Sequence, residues 1–416
     1  MRKNNLSPIT LNTLICGVLL GGMYLFQFYF PVGYSYFIRE DSWVEYSTFA
    51  CYFTAGSLVL WTIARNSSAR RPGYILLCLG LFLVAMEEIS WGQRLFGIRT
   101  PYMLAQYNAQ SELSLHNAFF IPAEHLFFYA ILIWAVILPE ISHRFKRLNV
   151  FFKIAGIPLV PREIYPYFIS SVFLKNFNVA IEHDEIGEII SGLAFVLFSV
   201  EAFCGIYKST EEANLAKKRL IGWAVTIVLT VPTLLVLARP RDIPTLKRQL
   251  YESTTTQYPR YGMNAQTKKI FEHLVRHEEL RNDDTLFRYG LFLQKMNSRE
   301  AEIVLGEALQ EAKERILENP DKPAPNILAG KILKELNQPE LAQKEFAEAL
   351  RKDQIRLAGA KLDWQRMDAL KSMGETYIEM GKHGLAREHL QKALEYAEDG
   401  WTKASIKNLL KIITIQ

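Results

Sequence analysis

The sequence predicts an all-α protein in two parts: a polytopic transmembrane helix bundle of six or seven spans, followed by a helical-repeat solenoid. Three observations carry this. Apolar residues, 50% of the 416-residue chain, gather before about residue 240 in runs close to the ~20 residues that a spanning helix needs. Beyond residue 265 the composition turns to Glu, Lys, Ala and Leu at helical period. Within that part a glycine-led pattern returns three times, about 40 residues apart. The boundaries that follow are 1–240 for the bundle, 241–264 for a polar linker and 265–416 for the repeats.

A formal charge of +5 is small for this length, and no basic patch interleaved with stacking aromatics occurs in the polar part, so nucleic acid is not an expected partner. The four cysteines, Cys16, Cys51, Cys78 and Cys204, fall in apolar runs, and no pair has metal-ligand or redox spacing. Met1-Arg2-Lys3 precedes an apolar run, as in a signal peptide. That run, 11–30, is too long for an h-region, and Gln27-Phe28-Tyr29-Phe30 offers no small-residue cleavage site. It reads as a retained first span.

Further spans are expected at 44–64, 74–88, 125–141, 186–207 and 220–237. The first span carries Gly17-x-x-x-Gly21, which lets a neighbouring helix approach closely. The stretch 164–181 is ambiguous, because Tyr165 to Leu174 is apolar but Lys175, Asn176 and Asn178 follow. If it spans, there are seven helices and the C-terminal part lies opposite the N-terminus; otherwise there are six. The positive-inside rule places 1–5, 65–71 and 143–153 in the cytoplasm but does not settle the later loops. The acids favour seven, since Glu182 to Glu188 then meets Glu87 and Glu88 at the outer face, where burial in one wet site is less costly. The basic and aromatic stretch 144–153 reads equally as an amphipathic helix on the anionic inner leaflet and as an ordinary positive-inside loop.

Three segments concentrate the polar chemistry. The first is Glu87-Glu88-Ile89-Ser90-Trp91-Gly92-Gln93-Arg94, and the second Asn108-x-Gln110-x-Glu112-x-x-x-His116-Asn117 with Glu124-His125 close behind. The third is Glu182-His183-Asp184-Glu185-x-x-Glu188, whose glutamates share one face if helical. A charge at the bilayer centre costs at least ~2.5–3.5 kcal/mol, and crowded carboxylates do not all ionise without cations. A divalent metal such as zinc, with His125, Glu182, His183 and Glu185 as ligands, would resolve the repulsion and activate water. Glu87, Glu88 and His116 are then the candidate catalytic groups. Ser90, Trp91, Gln93, Arg94, Asn108, Gln110, Glu112 and Asn117 are candidate contacts to a ligand headgroup. The plainer reading is that Arg94, Arg99 and Lys175 neutralise the acids while Trp91 joins an interfacial aromatic belt. Glu201, alone in a span, is expected to be a hydrogen-bonded packing residue.

The Glu-Glu-Ile-Ser-Trp-Gly-Gln-Arg run, Thr100-Pro101 and the Asn-x-Gln-x-Glu-x-x-x-His-Asn run resemble a family of uncharacterised bacterial multi-pass membrane proteins. The resemblance covers roughly 75–125 and implies a bacterial membrane location, not a reaction. Seven helices with outer-face acids and His are distantly similar to the ceramidase and adiponectin-receptor hydrolases. The chain lacks their paired His on the last helix, so their zinc site is not carried over.

In the polar third, Gly290-x-x-Leu293, Gly330-x-x-Leu333 and Gly374-x-x-Tyr377 are each followed by a turn residue (Asn297, Asn337, Gly381) and a small–large–small series. The series are Ala301, Leu305, Ala308; Ala342, Phe346, Ala349; and Ala386, Leu390, Ala393. This resembles the tetratricopeptide repeat, with small residues letting the helices of a hairpin approach and large ones filling between hairpins. Stacked hairpins of that kind imply a protein or peptide partner. The sequence thus points to a membrane-anchored interaction or assembly protein of the bacterial envelope, in the inner membrane with its repeats on the periplasmic side. The alternative is an intramembrane metal-dependent hydrolase or transferase acting on a lipid-linked substrate. A transporter is disfavoured, since no second inverted half is evident.

Overall fold

The computed structural model describes residues 6–38, 42–66, 72–96, 98, 123–177, 181–206, 209–238, 243–397 and 400–415. Among these residues every regular element is a helix. The chain divides into two compact units, 1–266 and 267–416.

The first unit holds α1 (Pro8–Tyr29), α2 (Pro31–Ile38), α3 (Trp43–Arg65), α4 (Pro72–Glu88) and the short α5 (Gln93–Phe96). Helix α6 starts as Ala123–Leu132, passes through a π-helical turn at Ile133–Ile137 and ends as Leu138–Arg144. Then come α7 (Lys146–Ala155), α8 (Tyr165–Asn176), α9 (His183–Cys204), α10 (Thr210–Ala238) and α11 (Ile243–Glu252). Five helices among the described residues are long and apolar enough to cross a membrane: Pro8–Tyr29, Trp43–Arg65, Leu126–Arg144, His183–Cys204 and Thr210–Leu237. The expected span at 74–88 lies on α4, which has 17 residues, and the 12-residue α8 takes up part of the ambiguous stretch 164–181.

Serines set two of the starts. Ser7 accepts the N–H of Thr10 at 3.2 Å ahead of Pro8, and Ser42 accepts that of Val44 at 3.3 Å. Helix α9 is the interior element. Gly192 lies so close to α3 that an added Cβ would stand 2.8 Å from that of Cys51, and Tyr52 shares a 2.5 Å hydrogen bond with Ser191 one residue along. Trp61 meets Phe203 further on, so α3 and α9 run in the same direction. On its other side Phe195 stacks on Trp134 of α6 at 5.6 Å and meets Phe168 of α8 edge-on at 5.1 Å. By contrast, α1 leaves most of its apolar surface outward, as a helix facing lipid does.

Residues 241–264, polar in composition, do not behave as a free linker where described. Helix α11 continues through a π turn at Ser253–Gln257, and Leu250 and Tyr258 are buried in the first unit. Tyr258 donates to the carbonyl of Pro31 at 3.2 Å. The sequence signal fails here because the covering residues come from more than 200 positions earlier.

The second unit contains α13 (Asp283–Lys295) with α14 (Glu300–Glu318), α15 (Ala324–Glu335) with α16 (Pro339–Gly359), and α17 (Asp363–Glu379) with α18 (His383–Tyr396), preceded by α12 (Asn264–Arg276) and closed by α19 (Gly400–Ile415). One contact recurs in all three pairs. An added Cβ would lie 2.6 Å from Leu305 at Gly290, 2.5 Å from Phe346 at Gly330 and 2.6 Å from Leu390 at Gly374. The large residue therefore fills its own pair against the glycine, and Leu305 also belongs to the buried cluster that includes Ala329 and Ile332 of the next pair. The three turns also match. Asn297, Asn337 and Gly381 are left-handed (φ 52°, 58° and 72°), and the amide after each bonds back to Leu293, Leu333 and Tyr377.

A buried ion-pair network joins the second and third pairs. Asp353 is fully buried, accepts from Ser372 at 2.6 Å and from Arg356 at 2.7 Å, and Arg356 also reaches Asp368. Burial pushes the Asp353 carboxyl up to about 6, against the pull of Ser372 and Arg356. Since the folded value lies above the ordinary 3.8, this carboxyl contributes stability below about pH 4 that is lost as pH rises through 6. Asp353→Asn should remove that dependence. Relative to the variant, the parent should lose about 3 kcal/mol between about pH 4 and pH 7, read as the pH profile of chemical unfolding. Parallel profiles would show that the ion pair fully offsets the desolvation.

Candidate functional site at the acidic end of the bundle

The first turns of α3 and α9 and the last turns of α4 and α8 meet at one end of the first unit. Adjacent helical residues point about 100° apart, and this separates the paired acids. Glu87 turns outward and accepts the indole N–H of Trp91 at 2.6 Å, with Trp91 44% exposed. Glu88 turns inward. It stands within electrostatic reach of Glu188 and Glu185 of α9, of Glu45 of α3 and of the Lys175 ammonium of α8. Glu185 feels the same set, with Glu182 in place of Glu88. Glu45, Glu88, Glu185 and Glu188, from three helices, thus gather around the Lys175 ammonium.

Lys175 is almost wholly buried, its side chain 3% exposed. Its Nζ lies 3.4 Å from Glu188, 3.8 Å from Asp184 and 5.6 Å from the centre of the Phe128 ring. The ring face adds a cation–π attraction where water is scarce. Tyr52, bonded to Ser191, lies within reach of both Glu88 and Glu188 and closes the inner side.

Glu182 stands apart from the expected glutamate face. It is left-handed (φ 48°), and α9 begins only at His183. Gln27 and Tyr34 hold the preceding Ile181: its N–H donates to Gln27 at 3.3 Å, and its carbonyl accepts from Tyr34 at 2.7 Å. Glu182 then accepts from Gln257, which follows α11. Burial pushes the Tyr34 phenol well above its ordinary range, reinforced by neighbouring Tyr258 and Glu182. His183 points its Nε2 to Asp184 at 3.4 Å.

Three consecutive left-handed residues follow α4, with φ of 46° at Ser90, 55° at Trp91 and 75° at Gly92. Conformations of this kind cost on the order of 1–3 kcal/mol for a non-glycine residue and persist only where the surroundings enforce them. Ser90 and Gln93 are buried at this corner. The candidate residues His116, Asn108, Gln110, Glu112 and Asn117 lie outside the described residues, as do the side chains of Arg94 and His125. Among the described residues, no three His, Cys, Asp or Glu side chains gather closely enough to hold a metal ion.

Sequence reasoning missed Glu45 and Gln257. Glu45 satisfies the criterion that singled out Glu87 and Glu88, an acid at the outer end of an apolar run, and a search of every run end would have found it. Nothing local marks Gln257 as a partner of Glu182. Glu201, expected to be a lone hydrogen-bonded residue, pairs with Lys217 of α10 at the opposite end of the bundle.

The chain matches no protein-family model, no curated protein and no solved structure.

Proposed function

We propose that this is a membrane-anchored interaction protein of the bacterial envelope. In this reading α1, α3, α4, α6, α8, α9 and α10 are seven spans of the inner membrane, and the acidic end faces outward. Residues 267–416 form a tetratricopeptide-like array on the periplasmic side that holds a protein or peptide partner. The observation that carries the reading is the threefold glycine-against-large-residue contact with its left-handed turn, because hairpins of one internal geometry are the units from which an array with an extended binding surface is built. The seven-span topology is supported by α8, which ends in Lys175 beside Glu88 and Glu188 rather than at the far end. Trp364 and Ile355, 60% and 59% exposed, are apolar positions available to a partner. Photo-crosslinking side chains placed at both should capture the same discrete protein in cells. No adduct, or only adducts to lipid, would refute the interaction reading. A cysteine label after residue 260 should react from the periplasm.

The gathering of Glu45, Glu88, Glu185 and Glu188 at this end favours one second reading, a metal-dependent hydrolase or transferase of a lipid-linked substrate. It requires stoichiometric metal in the purified protein that is lost in the Glu88→Gln, His116→Ala double variant.

A further inference from the structure

We infer that α7 is an in-plane anchor that selects anionic phospholipid in the leaflet opposite the acidic end. The helix follows Arg144, the last residue of α6, without a loop: Phe145 donates its N–H to the carbonyl of Ile141 at 3.0 Å. Its far end is fixed as well. Gly156 is left-handed (φ 67°), and the Ile157 amide bonds back to Phe152 at 2.9 Å. Gly156 lies against Gly73 at the start of α4 with no room for a Cβ, and Trp134 donates to the Pro158 carbonyl at 3.0 Å. The helix is thus held against the ends of two apolar helices.

Its inward side is narrow, with Phe152 buried. The outward side is both apolar and basic. Val150, Phe151 and Ile154 are 56%, 56% and 71% exposed, and Phe145 is 59% exposed. Lys146 and Lys153 lie along one edge of that face, Arg147 lies within it, and Arg144 precedes it, all exposed. No acidic residue occurs between Glu140 and Glu163. Arg162 of this stretch is already bound to Glu140 at 2.6 and 2.7 Å, leaving the other four cations for an external anion. Apolar side chains flanked by long cations suit an acyl boundary beneath phosphate headgroups, with the lysine stems reaching up to them. The charge complement is the anionic inner leaflet, where each such cation changes binding by about fivefold.

The test uses the full chain in nanodiscs, with a bimane label on Ile154→Cys; the native cysteines Cys16, Cys51, Cys78 and Cys204 are all buried. In discs of equal phosphatidylcholine and phosphatidylglycerol, lipid-borne nitroxide should quench the label and iodide should not. Iodide access should rise by more than an order of magnitude in pure phosphatidylcholine discs, where all four cations lose their anionic partners. Lys146→Gln with Lys153→Gln should raise it in the mixed discs by an order of magnitude or more, and Lys146→Arg with Lys153→Arg should restore shielding. Equal iodide access in both discs for the parent chain would overturn the proposal without reference to any variant. Shielding that depends on protein concentration in neutral detergent would overturn it in favour of a contact between copies.

Discussion

Replacing Lys175 with methionine is expected to destabilise the first unit by about 3–5 kcal/mol, the range found when one partner of a buried ion pair is removed. The side chain is 3% exposed and lies 3.4 Å from Glu188. Its ammonium lies within reach of both Glu88 and Glu185. Methionine fills much of the same volume, so the loss reports charge rather than packing. With the ammonium gone, Glu45, Glu88, Glu185 and Glu188 lose its attraction and repel one another more strongly. Adding Glu188→Gln to Lys175→Met should recover part of the loss, because it removes one repelling charge. Thermal unfolding in detergent, followed by circular dichroism, checks both. A Lys175→Met protein as stable as the parent would mean that protons or bound cations already neutralise the acids.

Phe346→Ala is expected to cost about 3–5 kcal/mol in the second unit, the usual cost of emptying a buried aromatic site. The ring is fully buried and fills the space left by Gly330. Gly330→Ala should also destabilise, by about 1–3 kcal/mol, because its Cβ would press to 2.5 Å from the ring. In the Phe346→Ala background the sign should reverse. The ring is gone, and alanine is a better helix former than glycine by roughly 0.5–1 kcal/mol. Gly306→Ala is the control: nothing lies within 4 Å of the position where its Cβ would be, so it should stabilise in either background. Chemical unfolding of the four combinations gives the cycle. Additive effects would show that residues 330 and 346 do not touch in solution.

Both variants bear on how much the sequence discloses. The all-helical class and the long apolar helices are legible because a bilayer demands about 20 apolar residues at a time, a signal carried within each segment. The repeated glycines are legible because each close helix approach needs the same small–large–small series after its turn. Residues Lys175 and Asn176 made 164–181 ambiguous, since polarity is read as an exit from the membrane. In the structure Lys175 points inward to acids on α9, and a local window cannot see that partner. The same limit applies to Glu182. Its place before α9, and its bond to Gln257, depend on Gln27 and Tyr34 holding Ile181 from the far end of the sequence. Contacts spanning 75 to 154 positions leave no local periodic trace.

The corner at Ser90, Trp91 and Gly92 carries a consequence for how this protein can drift. Three successive residues of the opposite hand admit few side chains. Glycine, asparagine and aspartate tolerate that backbone, whereas β-branched residues do not. Neutral change at position 90 is therefore confined to a handful of amino acids by main-chain geometry alone. An invariant serine there would say as much about the shape of the corner as about any chemistry at the acids beside it.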